Sequence, residues 1–139
     1  MTTIYSTEAT AIGGRSGSVS SIDGALRMAL TRPFRLGGCG RPGTNPEQLF
    51  AAAHSASFLD AIRVTAEAEG IKLASDCNVT AKVKLAADSA GAWQLEVVLS
   101  PDLPELEEGQ LIPLLSSAAL RCPYTVALNG RAKLSIRPL

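Results

Sequence analysis

Apolar and polar positions alternate near the start of the chain and again in its second half, and a long, almost wholly apolar run separates the two stretches. Residues 3–12 are strand-like in composition, Gly13-Gly14-Arg15-Ser16-Gly17 makes a glycine-bracketed turn, and a second short strand is expected over 18–22. Asp23-Gly24 is a strong hairpin signal leading into a third strand over 25–30. The segment 31–44 is rich in Gly and Pro and continues neither period, so it reads as a loop.

The apolar run carries the marks of a helix at both ends. Asn45 suits the N-cap and Pro46 the first helical position, while Glu47 and Gln48 bring a negative charge and a capping-box partner. The body spans 49–69, apolar almost without interruption through Ile62, and Gly70 supplies the stop. A helix apolar nearly all round is buried nearly all round. In a chain this small, that expectation puts the sheet on one side of the helix and a second subunit on the other.

Val79, Ala81, Val83 and Leu85 alternate with polar residues, and Trp93, Leu95, Val97 and Leu99 with mainly polar ones across a turn at 88–91, which predicts a two-strand hairpin with one buried face. A second helix is expected within 106–121, with a kink or late start at Pro113 and an end forced by Pro123. A last alternating strand covers 132–137. The resulting order, βββ-α-ββ-α-β, is that of a single two-layer α+β domain over 1–139, without repeats or linkers.

Composition narrows the function classes. The 139 residues suit one domain, and a domain of this size gains from area shared with a partner chain. Thirteen basic and thirteen acidic residues give a formal net charge of zero, with no basic stripe interleaved with aromatics, which argues against nucleic acid as a partner. The first ten residues lack a basic start and an apolar core, and no apolar run reaches the ~18 residues of a membrane span, so a cytoplasmic location is expected. Cys39, Cys77 and Cys122 are odd in number, with no CxxC and no nearby histidine, which disfavours a disulfide framework and a metal site. Each is therefore inert or redox-active.

Four segments hold the candidate chemistry: Gly13-Gly14-Arg15-Ser16-Gly17, Thr44-Asn45-Pro46-Glu47-Gln48-Leu49-Phe50-Ala51-Ala52, His54-Ser55-Ala56-Ser57-Phe58-Leu59, and Cys122-Pro123-Tyr124. In this order and spacing they resemble the organic hydroperoxide resistance (Ohr) branch of the osmotically inducible protein C (OsmC) superfamily, over nearly the whole chain. The resemblance implies an intertwined homodimer that reduces organic hydroperoxides to alcohols in the oxidative-stress response, an antioxidant peroxidase. It implies an attacking (peroxidatic) cysteine on the first long helix and a resolving cysteine at the end of the second. Carried onto this chain, the attacking position is Ser57, the resolving one is Cys122, and the activating pair is Arg15 with Glu47. Regeneration by dithiols, notably lipoyl groups on carrier proteins, is implied as well, with no metal or bound organic cofactor.

The residue types make chemical sense. A thiolate attacking a peroxide oxygen needs a cation nearby, and an arginine held by a carboxylate gives a permanent charge with a fixed fork of donors. Attack leaves a sulfenic acid, which a second thiol condenses into a disulfide before further oxidation. Ser57 breaks this scheme at its first step, since a hydroxyl is too weak an acid to ionise beside one arginine and oxygen has no sulfur oxidation ladder to climb. The chain as written should be a very poor peroxidase. Either the serine was introduced to freeze the reduced state or the chain is a paralogue that has lost the chemistry; retention of Arg15, Glu47 and Cys122 favours the former.

Simpler roles stand beside these. Taken singly, Arg15 reads as a solvated charge, Glu47 as a first-turn carboxylate favouring the helix dipole, Cys122 as a small core residue and Tyr124 as a packing residue. His54, Ser57 and Asp60 are spaced three apart on one helical face, but a regular helix offers no nucleophile elbow or oxyanion hole, so a hydrolase triad is disfavoured and His54 reads as a hydrogen-bonded histidine near an interface. Phe34, Leu36, Phe50 and Phe58 are the candidates for an apolar channel admitting bulky peroxides. The rival function is a non-catalytic protein binding a lipid-like ligand in the same pocket.

Overall fold

The N-terminal alternation forms a meander of three short strands, β1 (Ala9–Ile12), β2 (Ser18–Ser21) and β3 (Arg27–Ala29), paired antiparallel in that order. In this computed structural model, which describes residues 1–139, the meander belongs to the first of two compact units, Met1–Leu49 and Phe50–Leu139. β1 begins six residues later than its composition suggests because β2 is short: Ala9 lies opposite Ser21 and Ile12 opposite Ser18, so residues 3–8 have no strand to face. The glycine turn between β1 and β2 is a single 3₁₀ turn, Gly14–Ser16. Its glycines are required, since Gly13 and Gly14 have φ of 73° and 55°, and a Cβ on Gly17 would lie 1.7 Å from the Ile12 carbonyl oxygen. Asp23-Gly24 does turn the chain, with Asp23 Oδ1 accepting from the Ala25 N–H at 3.0 Å, although the loop is longer than two residues.

Residues 31–44 contain one further 3₁₀ turn, Phe34–Leu36, and their two ends are tied together: Thr31 N–H donates to Thr44 O (2.8 Å) and Thr44 N–H to Ala29 O (2.9 Å). Little of this unit is buried. β1 and β3 are exposed along their length, and Ile12 is 71% exposed.

Helix α1 (Pro46–Ala68) starts in the first unit and runs into the second. Asn45 caps it as expected, Oδ1 accepting from the Gln48 N–H at 2.8 Å. The Gln48 side chain accepts instead from the Thr44 hydroxyl at 2.9 Å, so the reciprocal half of the capping box is replaced by a side-chain bond. At the other end Gly70 takes φ 67° and Ile71 N–H reaches back to Ala66 O at 2.8 Å.

In the second unit β4 (Asn78–Ala87) and β5 (Trp93–Asp102) form the expected hairpin, each longer than its alternation shows, and β6 (Lys133–Ile136) joins β5 in parallel. The crossover holds two helices, α2 (Glu108–Arg121) and α3 (Pro123–Leu128), where one was expected. Pro113 brings no late start: α2 runs through it from Glu108 to Arg121. The core gathers Phe58, Ile62 and Ala66 from α1, Val97 and Leu99 from β5, and Leu114, Leu115 and Ala118 from α2. The class is α+β, as the alternation predicts, with two three-stranded sheets.

Within this single chain α1 buries one face. α1 is not buried all round; His54, Phe58, Ala61, Ile62, Thr65 and Ala66 make a single buried stripe, while Ala52, Ala56 and Val64 remain exposed. Its seven alanines make the helix apolar without giving both faces something in this chain to pack against.

Candidate active site

The sequence-derived site residues fall into two pairs. Arg15, held in the glycine turn, and Glu47, in the first turn of α1, form a two-point ion pair: Nη1 donates to Oε2 at 2.6 Å and Nη2 to Oε1 at 2.5 Å. The fork-to-fork geometry is what a planar guanidinium offers a carboxylate. The side chains are 21% and 17% exposed, so water screens the pair only partly. Hydrogen bonding from Arg15 holds the Glu47 carboxyl below its usual range, and the bond to Glu47 raises the guanidinium still further. Both groups stay charged at any physiological pH.

The second pair lies within the second unit. Ser57 Oγ, partly buried in the middle of α1, is 3.5 Å from Cys122 Sγ. Cys122 is fully buried at the junction of α2 and α3, with φ −72° and ψ 114°. The following proline sets that conformation, because its ring disfavours the helical region for the residue before it. Pro123 then serves as the first residue of α3, so the cysteine ends one helix and caps the next. Glu47 and Ser57 ride on the same helix, ten residues apart.

Against this geometry, the OsmC-like protein family matches residues 37–137. The chain belongs to the OsmC-like family. The organic hydroperoxide resistance protein of Xanthomonas axonopodis pv. citri is 35% identical over 133 residues, covering 96% of this chain and 93% of its own. Among solved structures, the organic hydroperoxide resistance protein OsmC of Legionella pneumophila superposes with a TM-score of 0.88 at 39% identity, over 97% of this chain and 98% of that one. OhrB of Bacillus subtilis gives 0.90 at 31% identity, over 99% and 100%.

Within this OsmC-like chain, a second contact runs beside the Ser57–Cys122 pair. His54, one turn before Ser57, is fully buried and its Nε2 lies 3.0 Å from Thr125 Oγ1, one turn after Cys122. Its ring stacks on Tyr124 (centroids 5.9 Å apart) and meets the edge of Phe50 (5.8 Å). Burial pushes the imidazole pKa down, so the ring is neutral, and its Nδ1 is buried without a partner. The sequence reading missed this cluster, though Phe50, His54 and Ser57 at i, i+4 and i+7 were the signal for a shared face. No hydrogen bond joins His54, Ser57 and Asp60, and Asp60 is exposed, so the triad is not formed.

The four apolar candidates have different surroundings. Phe58 is fully buried in the core and offers no surface to a ligand, whereas Phe50 belongs to the aromatic cluster. Phe34 is 74% exposed and Leu36 half-buried, both in the 3₁₀ turn of the first unit. Cys77 is buried, with an Arg63 guanidinium nitrogen 3.8 Å from its sulfur, and Cys39 is exposed. No group of His, Cys, Asp or Glu could hold a metal ion. No helix is long and apolar enough to cross a membrane.

Proposed function

We propose that the chain is built for thiol-dependent reduction of organic hydroperoxides to alcohols, in peroxide defence, and that Ser57 at the attacking position leaves it nearly inactive. The supporting observation is the 3.5 Å contact of Ser57 Oγ with Cys122 Sγ, the placement an attacking and a resolving thiol require. The names of its relatives, organic hydroperoxide resistance proteins, point to the same substrate class.

With sulfur at position 57, the thiolate attacks one peroxide oxygen, the O–O bond breaks, and the other oxygen leaves with a proton as the alcohol. Cys122 then attacks the sulfenic sulfur and expels water, and an external dithiol of the lipoyl type returns the disulfide to two thiols. The family resemblance assigns to Arg15, paired with Glu47, the charge that favours the thiolate. The working form is a homodimer; the exposed strands of the first unit and the uncovered flank of α1 support it.

The test is loss of cumene hydroperoxide in the presence of dihydrolipoamide, compared between this chain and Ser57→Cys. The variant should consume peroxide and the parent almost none. A folded variant no faster than the parent rules out the reductase reading and favours a non-catalytic binder of an apolar ligand, which should then co-purify with the protein.

A further inference from the structure

Residues 24–46 hold four arginines, Arg27, Arg32, Arg35 and Arg41, and no aspartate or glutamate, in a chain whose formal net charge is zero. Two of the four, Arg32 and Arg41, line a cavity of about 430 Å³ within the first unit, together with Ser16, Thr31, Gly38 and Cys39. Neither guanidinium forms an ion pair; the three in the chain are Arg15–Glu47, Lys84–Glu96 and Lys133–Glu96. Cys39 is a free, exposed thiol.

The loop is shaped to bring these groups together. A Cβ on Gly38 would lie 1.6 Å from the Arg32 carbonyl oxygen, and one on Gly40 would lie 2.5 Å from the Phe34 ring. Gly38 N–H donates to Pro33 O at 3.0 Å. Only glycine lets residues 37–41 fold back over 32–34, and that return places Cys39 and Arg41 in the same wall as Arg32. A concave site with two unpaired guanidinium forks, no carboxylate and a nucleophilic sulfur suits an anion that can react with a thiol.

We propose that this cavity is a docking and thiolation site for anionic low-molecular-weight disulfides, separate from the Ser57–Cys122 pair. The arginines hold the carboxylates of the disulfide, and the Cys39 thiolate attacks one of its sulfurs. The ligand's S–S bond breaks, a mixed disulfide forms on Cys39, and the other half leaves as a thiolate that takes up a proton. Cys39 is oxidised and half of the ligand is reduced, so no further oxidant enters. A second thiol reverses the step.

The experiment uses the chain as it stands, with glutathione disulfide as probe and the neutral 2-hydroxyethyl disulfide as reference. Peptide mapping should find the glutathione adduct on Cys39 and leave Cys77 and Cys122 free, and Cys39→Ser should abolish it. The ratio of the two rates should fall roughly tenfold in Arg32→Gln/Arg41→Gln, the upper size expected for two exposed ion pairs acting together. Arg32→Lys/Arg41→Lys should keep most of the ratio, Arg27→Gln, outside the cavity, should leave it unchanged, and 1 M salt should collapse it. An unchanged ratio in the double Gln variant, an equal fall in Arg27→Gln, or an adduct at Cys77 or Cys122 overturns the proposal. None of these outcomes touches the peroxide reading, which does not involve Cys39.

Discussion

Glu47→Gln isolates the charge in the Arg15–Glu47 pair while keeping the side chain's shape and its place in the first turn of α1. The wild-type pair makes two short charge-assisted bonds between side chains that are 21% and 17% exposed, between the regime of exposed pairs, about 0–1 kcal/mol, and that of broken buried ones, about 3–5 kcal/mol. The carboxylate also faces the positive end of α1, for about 0.3–1 kcal/mol more. The expected loss is about 2 kcal/mol at pH 7. With an m-value of about 2 kcal/mol per molar urea, the unfolding midpoint should drop by about 1 M at equal protein concentration.

The pH dependence makes the reasoning sharper. The folded-state pKa of Glu47 lies below its ordinary 4.5, chiefly through the hydrogen bonds from Arg15. Its contribution is therefore fully present above pH 4.5 and is lost as pH falls through the lower folded value. Wild type and variant should converge under strong acid. A midpoint difference that stays the same from pH 7 to pH 3, or one near zero at pH 7, would refute the claim that the paired charge stabilises the turn.

Three other perturbations bear on the core, the buried histidine and the assembly. Phe58→Ala, at a fully buried position, should cost about 3–5 kcal/mol by urea unfolding; a loss under about 1 kcal/mol would mean the ring is not packed as described. Burial depresses the His54 pKa below 6.5, so between that folded value and 6.5 the unfolded chain binds a proton that the folded chain does not. Stability should fall as pH drops below 6.5, and His54→Gln should remove that slope; an identical slope in the variant would place its origin elsewhere. Sedimentation at micromolar concentration should give a dimer, and a folded monomer would count against the paired assembly.

The sequence was most informative where local chemistry alone decides the outcome. Asn45-Pro46 marks the first turn of α1, Gly70 its end, and the alternation around Val83 and Val97 the hairpin, each a short-range signal with a physical cause. It was least informative where a partner strand or helix decides. Nothing in residues 3–8 says that β2 is only four residues long, so their composition does not reveal that β1 starts at Ala9. The stop at Pro123 was visible, but not that the proline would start α3, because six residues hold too little periodicity. Likewise Arg15 and Glu47 were nameable through resemblance, while the His54–Thr125 contact depends on how α3 meets α1, 71 residues away in sequence.

The backbone at Cys122 has a mechanical consequence. One residue with non-helical dihedrals separates α2 from α3, which makes the cysteine a joint between two rigid rods. If position 57 held sulfur, a bond to Cys122 would require the two atoms to close from about 3.5 Å to about 2.05 Å. A joint takes up such a displacement by small changes in its own torsions, so the rods need not bend and their internal hydrogen bonds need not lengthen. Tyr124 and Thr125, just past that joint, are the residues of α3 in contact with His54 on α1.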